Sequence, residues 1–254
     1  MFDNICKFIA ETNSPDFATW LLGEPITLTK LSPTELSLEP IRADALIMLQ
    51  SDDVVLHIEF QTNPDEDMPF RMADYHLRVY RRFPNKRMRQ FVIYLDKTKS
   101  DKVYQTAFTT QSMRHEFSVI RLWEQPPEIF LNNTGLLPFA VLSAAENKAG
   151  TLQQVAETID KISPRRTQSN IAAAAAILAG LVLEQDVIAR LFRSDIMRES
   201  VVYQSIKEEG GDEKARQIAL NLLAEGITVD VIARSTGLSV EEIQQLQQQH
   251  SNQQ

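Results

Sequence analysis

The chain has 254 residues, 43% of them hydrophobic and 24% charged, with a formal net charge of −8. That size holds one large domain, or one domain with a smaller module, and the composition is that of an ordinary globular protein. The acidic balance excludes a surface that coats nucleic acid generally but leaves room for a local basic patch, and the one cysteine, Cys6, excludes an internal disulfide and fits a reducing cytoplasm.

The opening stretch, MFDNICKFIAETNSPDF, carries acids early and has no basic flank ahead of a long apolar run, unlike a secretory signal. Residues 15–23, PDFATWLLG, predict a short helix with Ser14 as N-cap and Pro15 at its first position. Residues 35–62 are rich in β-branched and apolar types and predict strands. Over 68–83, MPFRMADYHLRVYRRF, the periodicity turns helical, with Met72, Ala73, Leu77 and Tyr80 as the inward face. Arg89–Asp96 predicts a central buried strand, and Glu116–Glu124 a further one. Helix, strands, helix, strand, strand is the order of an α/β (α+β) layer structure with a mixed sheet.

From about residue 146 the strand signals stop and Ala, Leu, Gln and Glu favour helices. The longest apolar run, Ile171–Leu183, is too short to span a bilayer and predicts a buried helix, so no membrane role is expected. EEGGDE, Glu208–Glu213, predicts a flexible joint. Three short helices are expected beyond it, punctuated by Gly226 and Gly237, with Ser239 and Glu242 forming a capping box at the third. The expected organisation is therefore a core domain over 1–145, a helical extension over 146–208 and a small helical tail over 213–254, whose last residues, QQQHSNQQ, are of low complexity.

The stretch IRADALIMLQSDDVVLHIEFQT, Ile41–Thr62, reads as a hairpin built for burial, yet it carries Asp44, Glu59 and Gln61. Alternation puts Val54, Leu56, Ile58 and Phe60 on one face, and Val55, His57, Glu59 and Gln61 on the other. With QSDD as a four-residue loop and Leu49 opposite Val54, Asp44 faces Glu59 and Arg42 faces Gln61, their β-carbons about 4.5–5.5 Å apart. Two carboxylates across a ladder repel, and a hard divalent cation removes that repulsion. Such a cation also acidifies a bound water and neutralises charge on a phosphate. The spacing is thus a candidate metal site for phosphodiester hydrolysis. The same pattern also fits polar residues on a half-exposed sheet face, and a slip of one residue would undo the pairing. His57 shares the face of Glu59 and fits packing or support better than ligation; no histidine has metal-ligand spacing, and no Gly-rich phosphate loop is present.

RADALIML, HIEFQT and DEDMPFRMADYHLRVYRR together resemble the PD-(D/E)XK nuclease-like proteins of the recombination-promoting nuclease and transposase group, a likeness running through most of the first 200 residues. The resemblance implies a restriction-endonuclease-like sheet core and Mg²⁺ (or Mn²⁺) bound by Asp44 and Glu59. The position usually held by a water-orienting Lys is Gln61 here, which removes a positive charge. An acid from the first helix often joins such sites; Glu24 is the first candidate, with Glu11 and Asp3 competing. Arg71, Tyr75, Arg78 and Arg82 recur at spacings of four, three and four and so share a helix face. From Arg78 to Arg89 inclusive there are six basic residues and no acid, a stripe suited to DNA phosphates. It equally suits a solvated face balancing the nearby acids.

The expected function is Mg²⁺-dependent DNA endonuclease activity in the cytoplasm, tied by the resemblance to recombination or DNA mobility; many such nucleases cut both strands as dimers, which makes a homodimer or higher homo-oligomer an option that no residue here decides. Its rival is a catalytically inactive nuclease fold that binds DNA or a protein. The tail, VDVIARSTGLSVEEIQQL, has the outline of a helix-turn-helix. Its second helix bears two acids and no Arg or Lys, which makes a poor major-groove reader and fits a packing or oligomerisation module as well.

Overall fold

The structure, a computed structural model, describes residues 2–31, 46–192, 194–225 and 227–251. Its contacts divide the chain into two units, Met1–Val202 and Tyr203–Gln254.

The first unit opens with α1 (Phe2–Thr12), a helix absent from the sequence expectation, whose buried Ile5, Cys6, Ile9 and Ala10 fall on one helical face. Then comes α2 (Ser14–Leu22). Asn13 occupies its N-cap position in place of Ser14, whose hydroxyl donates to the Leu28 carbonyl at 3.0 Å. Gly23, at φ 83°, closes the helix in the left-handed conformation that glycine adopts without strain.

Among the described residues, five strands form one mixed sheet in the order β1-β2-β3-β4-β7. They are β1 (Thr29–Lys30), β2 (Leu46–Gln50), β3 (Val54–Gln61), β4 (Arg87–Tyr94) and β7 (Ser118–Arg121). β1, β2 and β3 pair antiparallel, whereas β3, β4 and β7 run parallel. The β3–β4 crossover is α3 (Met68–Arg82), the helix expected there. A separate hairpin, β5 (Ala107–Thr109) with β6 (Arg114–Glu116), falls just before and into the segment expected as one strand. The helices α4 (Glu128–Leu131), α5 (Lys148–Ile159), α6 (Arg165–Ala179), α7 (Gln185–Leu191) and α8 (Ser194–Arg198) complete the unit. The α/β class with a mixed sheet, flanking helices and an all-helical C-terminal part is therefore the observed architecture. Among the described residues, no helix is long and apolar enough to cross a membrane.

The β2–β3 register differs from the expected one. Leu49 faces Leu56, not Val54, and Glu59 faces Leu46, not Asp44. The cause is the turn: Ser51 N–H donates to the Val54 carbonyl at 2.9 Å, so only Asp52 and Asp53 lie beyond the ladder. A two-residue loop in place of a four-residue one shifts the pairing by two, which preserves faces but changes partners. Asp44 and Arg42 lie outside the described residues.

Both faces of β3 are buried. Phe60 stacks on Phe139 at 5.6 Å, and Phe17 meets both rings edge-on at 6.3 and 5.9 Å. Phe139 belongs to the buried 3-10 segment Thr134–Leu142. That segment is pinned to α2 where Gly135 N–H donates to Asp16 Oδ2 at 2.7 Å. A β-carbon on Gly135 would sit 2.3 Å from Asn13 Cβ, so nothing larger than glycine fits. Gly135→Ala is expected to cost about 1–3 kcal/mol through this clash; an unchanged urea midpoint would contradict the contact.

α3 covers the other face, rotated from expectation. Met68, Met72, Ala73, Tyr75 and Val79 are buried, while Leu77 and Tyr80 are 52% and 59% exposed. Tyr75, expected outside with the arginines, packs with Leu31, Met48, Val55 and Val79.

In the second unit, α9 (Val201–Ala224) starts at the unit boundary and stays helical through Glu208–Glu213, where a flexible joint was expected. α10 (Val229–Thr236) and α11 (Val240–Ser251) follow. Ala219, Ile232, Leu238 and Ile243 form the core of this unit. Gly237 closes α10 at φ 78°. The expected capping box is formed: Ser239 N–H donates to Glu242 Oε2 at 2.8 Å, and Glu242 N–H to Ser239 Oγ at 3.2 Å. The Ser239 N–H and hydroxyl, both donating to Glu242 Oε2, hold the Glu242 carboxyl below its ordinary value.

Candidate active site

Glu59 lies on the face of β3 beneath α3, opposite Leu46 on one side and Val92 on the other. It is 2% exposed, and among the described residues its Oε2 has no hydrogen-bond partner. Burying a carboxylate oxygen without a partner is costly, so this atom calls for a cation or a donor. The other oxygen, Oε1, lies 3.5 Å from His57 Nε2, a contact without hydrogen-bond geometry.

β3 ends at an open cleft of about 610 Å³, lined by Asp3, Gln61, Thr62, Asn63, Pro64 and the acidic turn Asp65–Asp67. Asp3 comes from the first turn of α1. Burial, and then the charge of Glu59, raise its carboxyl above the ordinary aspartate value of 3.8. The first-helix acid that feels the Glu59 charge is thus Asp3. Glu24, the first candidate from sequence, is exposed just past the end of α2, and Glu11 pairs with Lys30 at 3.0 Å. The signal that would have favoured Asp3 is the Ile5/Cys6/Ile9/Ala10 periodicity, which places an acid at the start of a buried helix.

The raised Asp3 carboxyl gives a pH dependence of definite sign. The folded state binds its proton more tightly than the unfolded chain, so stability is lost as pH rises from the ordinary value through the raised one. Asp3→Asn is expected to raise Tm by about 1–3 °C near pH 7 in chelator, the gain vanishing near about pH 3.5. Scanning fluorimetry across pH checks this; a lower Tm for the variant near pH 7 would contradict it.

Arg71 joins this group. Its guanidinium pairs with Asp65 Oδ2 at 3.0 Å, its side chain is 23% exposed, and its buried Nε has no hydrogen-bond partner among the described residues. It also lowers the Asp3 carboxyl by proximity. Burial, and then Glu59, push the Tyr75 hydroxyl up, and burial with Asp65 does the same for Tyr94. Arg78 pairs with Asp74 at 2.9 Å, and Arg82 is exposed at the far end of α3. Of the expected DNA-contact set, Arg71 and Tyr75 therefore stand near Glu59, and Arg82 stands at the other end of the helix.

For a hard divalent cation the described residues supply two carboxylates, Glu59 and Asp3. Glu59 offers a buried unpartnered carboxylate oxygen, and the Asp3 carboxyl is close enough to feel its charge. Among the described residues, no group of three or more His, Cys, Asp or Glu side chains has the arrangement to hold a metal ion.

Behind Glu59 runs a buried polar line. Gln90, on β4 opposite His57, places its Nε2 3.0 Å from His57 Nδ1 and donates to the Met72 carbonyl at 2.8 Å. Its Oε1 lies 2.7 Å from His115 Nε2. Tyr75 meets the His57 ring edge-on at 5.2 Å. Gln90, on a strand that reads as uniformly buried, was not singled out from sequence.

No curated protein and no solved structure has a significant match to the chain. Residues 212–248 match the Rpn/YhgA-like nuclease family, C-terminal HTH domain. The match covers the helical tail, where α10, the Gly237 turn and α11 supply the helix-turn-helix, and it supports the Rpn family without bearing on the PD-(D/E)XK signature.

Proposed function

We propose that the protein is a Mg²⁺-dependent DNA endonuclease that hydrolyses phosphodiester bonds at the cleft beside Glu59. The observation that carries this reading is the buried Glu59, whose Oε2 has no partner among the described residues, within reach of the Asp3 carboxyl by charge and two residues before Gln61 at the end of β3. The family match of the tail supports it, because that family is a nuclease family by name and its tail domain is an HTH, a fold that suggests DNA binding.

Glu59 and Asp3 would hold the cation together with Asp44, and Asp3 takes the role first considered for Glu24. When bound, a divalent cation supplies an acidified water and neutralises charge developing on the phosphate. The remaining work belongs to the chain. The Gln61 side chain accepts from the attacking water through its carbonyl, or donates to a phosphate oxygen through its amide. Without the usual ammonium, it orients but adds no charge. Arg71 donates to a phosphate oxygen by leaving Asp65, its guanidinium being suited to that exchange. Arg78 and Arg82 extend the contact along the DNA backbone, and the buried Tyr75 supports the wall under Glu59.

The cleft itself is acidic, with Arg71 paired to Asp65 and Lys102 paired to Glu66. A polyanion is repelled there until a cation is bound, so DNA affinity at the cleft should require divalent metal. The non-catalytic alternative draws on the absence, among the described residues, of a three-ligand cluster and on the lack of a lysine at Gln61. Nicking of supercoiled plasmid decides between them: wild type should nick with Mg²⁺ or Mn²⁺ and not with chelator, and Asp44→Ala and Asp3→Asn should each reduce it. Metal-independent DNA binding without nicking would establish the inactive scaffold instead.

A further inference from the structure

We infer that Gln90 locks His57 in the tautomer that carries its proton on Nε2, so that His57 positions the Glu59 carboxylate and is itself barred from binding metal. The tautomer stands independently of the nuclease reading; its value for cation binding rests on it.

The argument starts from the Met72 carbonyl, which only accepts. The Gln90 atom 2.8 Å from it must therefore be the amide nitrogen. That fixes the orientation of the whole amide, and the other oxygen contact agrees: Gln90 Oε1 accepts from His115 Nε2 at 2.7 Å. The second amide hydrogen is left for His57 Nδ1 at 3.0 Å. Nδ1 thus accepts, and in the neutral ring the proton sits on Nε2. Nε2 lies 3.5 Å from Glu59 Oε1.

His57, Glu59 and Gln90 are buried, at 0%, 2% and 6% exposed, and His115 is half-buried. Water is therefore not at hand to reorient the groups, and a misdirected lone pair would be costly. The positive end of the Nε2–H dipole lies 3.5 Å from Glu59 Oε1, outside hydrogen-bond geometry, and acts on that oxygen electrostatically, while Oε2 has no partner among the described residues. Neither His57 nitrogen offers a lone pair to a metal, since one accepts from Gln90 and the other is protonated. This arrangement matches the general role of groups that orient metal-binding carboxylates. His57 and Gln90 are positioning residues, acting through Glu59.

Nitrogen-15 NMR of the histidine rings in the metal-free wild-type protein tests this directly. The His57 ring, assigned by loss of its signals in His57→Asn or by through-bond spectra, should report a protonated Nε2 and an unprotonated Nδ1. Gln90→Met, which removes the lock without adding charge, should leave a mixture of tautomers and weaken Mn²⁺ binding by about 10–100-fold. Gln90→Glu should reverse the tautomer, because a carboxylate accepts from Nδ1–H. A protonated Nδ1 in wild type overturns the inference, and so does Gln90→Met with tautomer unchanged and Mn²⁺ affinity within twofold. If wild type shows the Nε2–H tautomer but binds no Mn²⁺, the lock stands and the nuclease reading falls.

Discussion

Glu59→Gln should cut Mg²⁺-dependent nicking by about a hundred- to a thousandfold, the order lost when a group that stabilises charge in a reaction is removed. The substitution keeps the volume of a side chain that is 2% exposed, so packing around β3 is retained. It replaces a buried, incompletely partnered carboxylate by a neutral amide, and the variant should be at least as stable as wild type in chelator. Wild type should gain stability on adding Mg²⁺, by about 2.7 kcal/mol at a hundred times the dissociation constant. The variant should gain almost none. Loss of nicking together with loss of the metal-dependent gain separates a cation role from a folding role. Full nicking by the variant would contradict the assignment of Glu59.

Phe60→Ala should cost about 3–5 kcal/mol, the usual range for emptying a buried aromatic site. Phe60 is 1% exposed and sits between two rings, stacked on Phe139 and met edge-on by Phe17. The three rings come from β3, α2 and the 3-10 segment Thr134–Leu142, so the loss loosens the layer behind the cleft as a whole. Such geometry adds about 0.5–1.5 kcal/mol per aromatic pair beyond area burial. Against a typical total of about 5–15 kcal/mol, the variant should be partly unfolded at 37 °C or close to it. Urea denaturation measures this, and a loss below about 1 kcal/mol would contradict the packing.

How much of this was legible in the sequence depended on whether one residue pattern had one solution. The strand faces of β3 did: alternation put His57, Glu59 and Gln61 together, and any even shift of register keeps them so. The partner across β2 did not, because it is set by turn geometry, and QSDD supports two-residue and four-residue loops alike. For α3 the helix was plain but its rotation was not. Leu77 and Tyr80 compete with Met68 and Val79 for the inward stripe, and the aliphatic stems of Arg71 and Arg78 blur the boundary. The exposed pair, Leu77 and Tyr80, shows that apolar type alone does not decide burial.

α1 was missed although its apolar spacing is regular, and with it went the placement of Asp3 within reach of the Glu59 charge. Gly210 and Gly211 misled in the other direction. Each costs about 1 kcal/mol in a helix, too little to break one that runs from Val201 to Ala224. The helix-turn-helix outline of the tail was visible through Gly237 and the Ser239–Glu242 box, and these same features are what the family match covers. Its acidic and glutamine-rich last helix still argues for weak groove binding, since Glu241, Glu242, Gln244 and Gln245 are exposed.

Titration of Mn²⁺ by isothermal calorimetry into wild type, Glu59→Gln and Asp44→Ala is the most direct measurement of a cation site on this hairpin. One site per chain in wild type, weakened at least about tenfold in either variant, is the expected result. No binding in wild type, or binding unchanged by both substitutions, would contradict it.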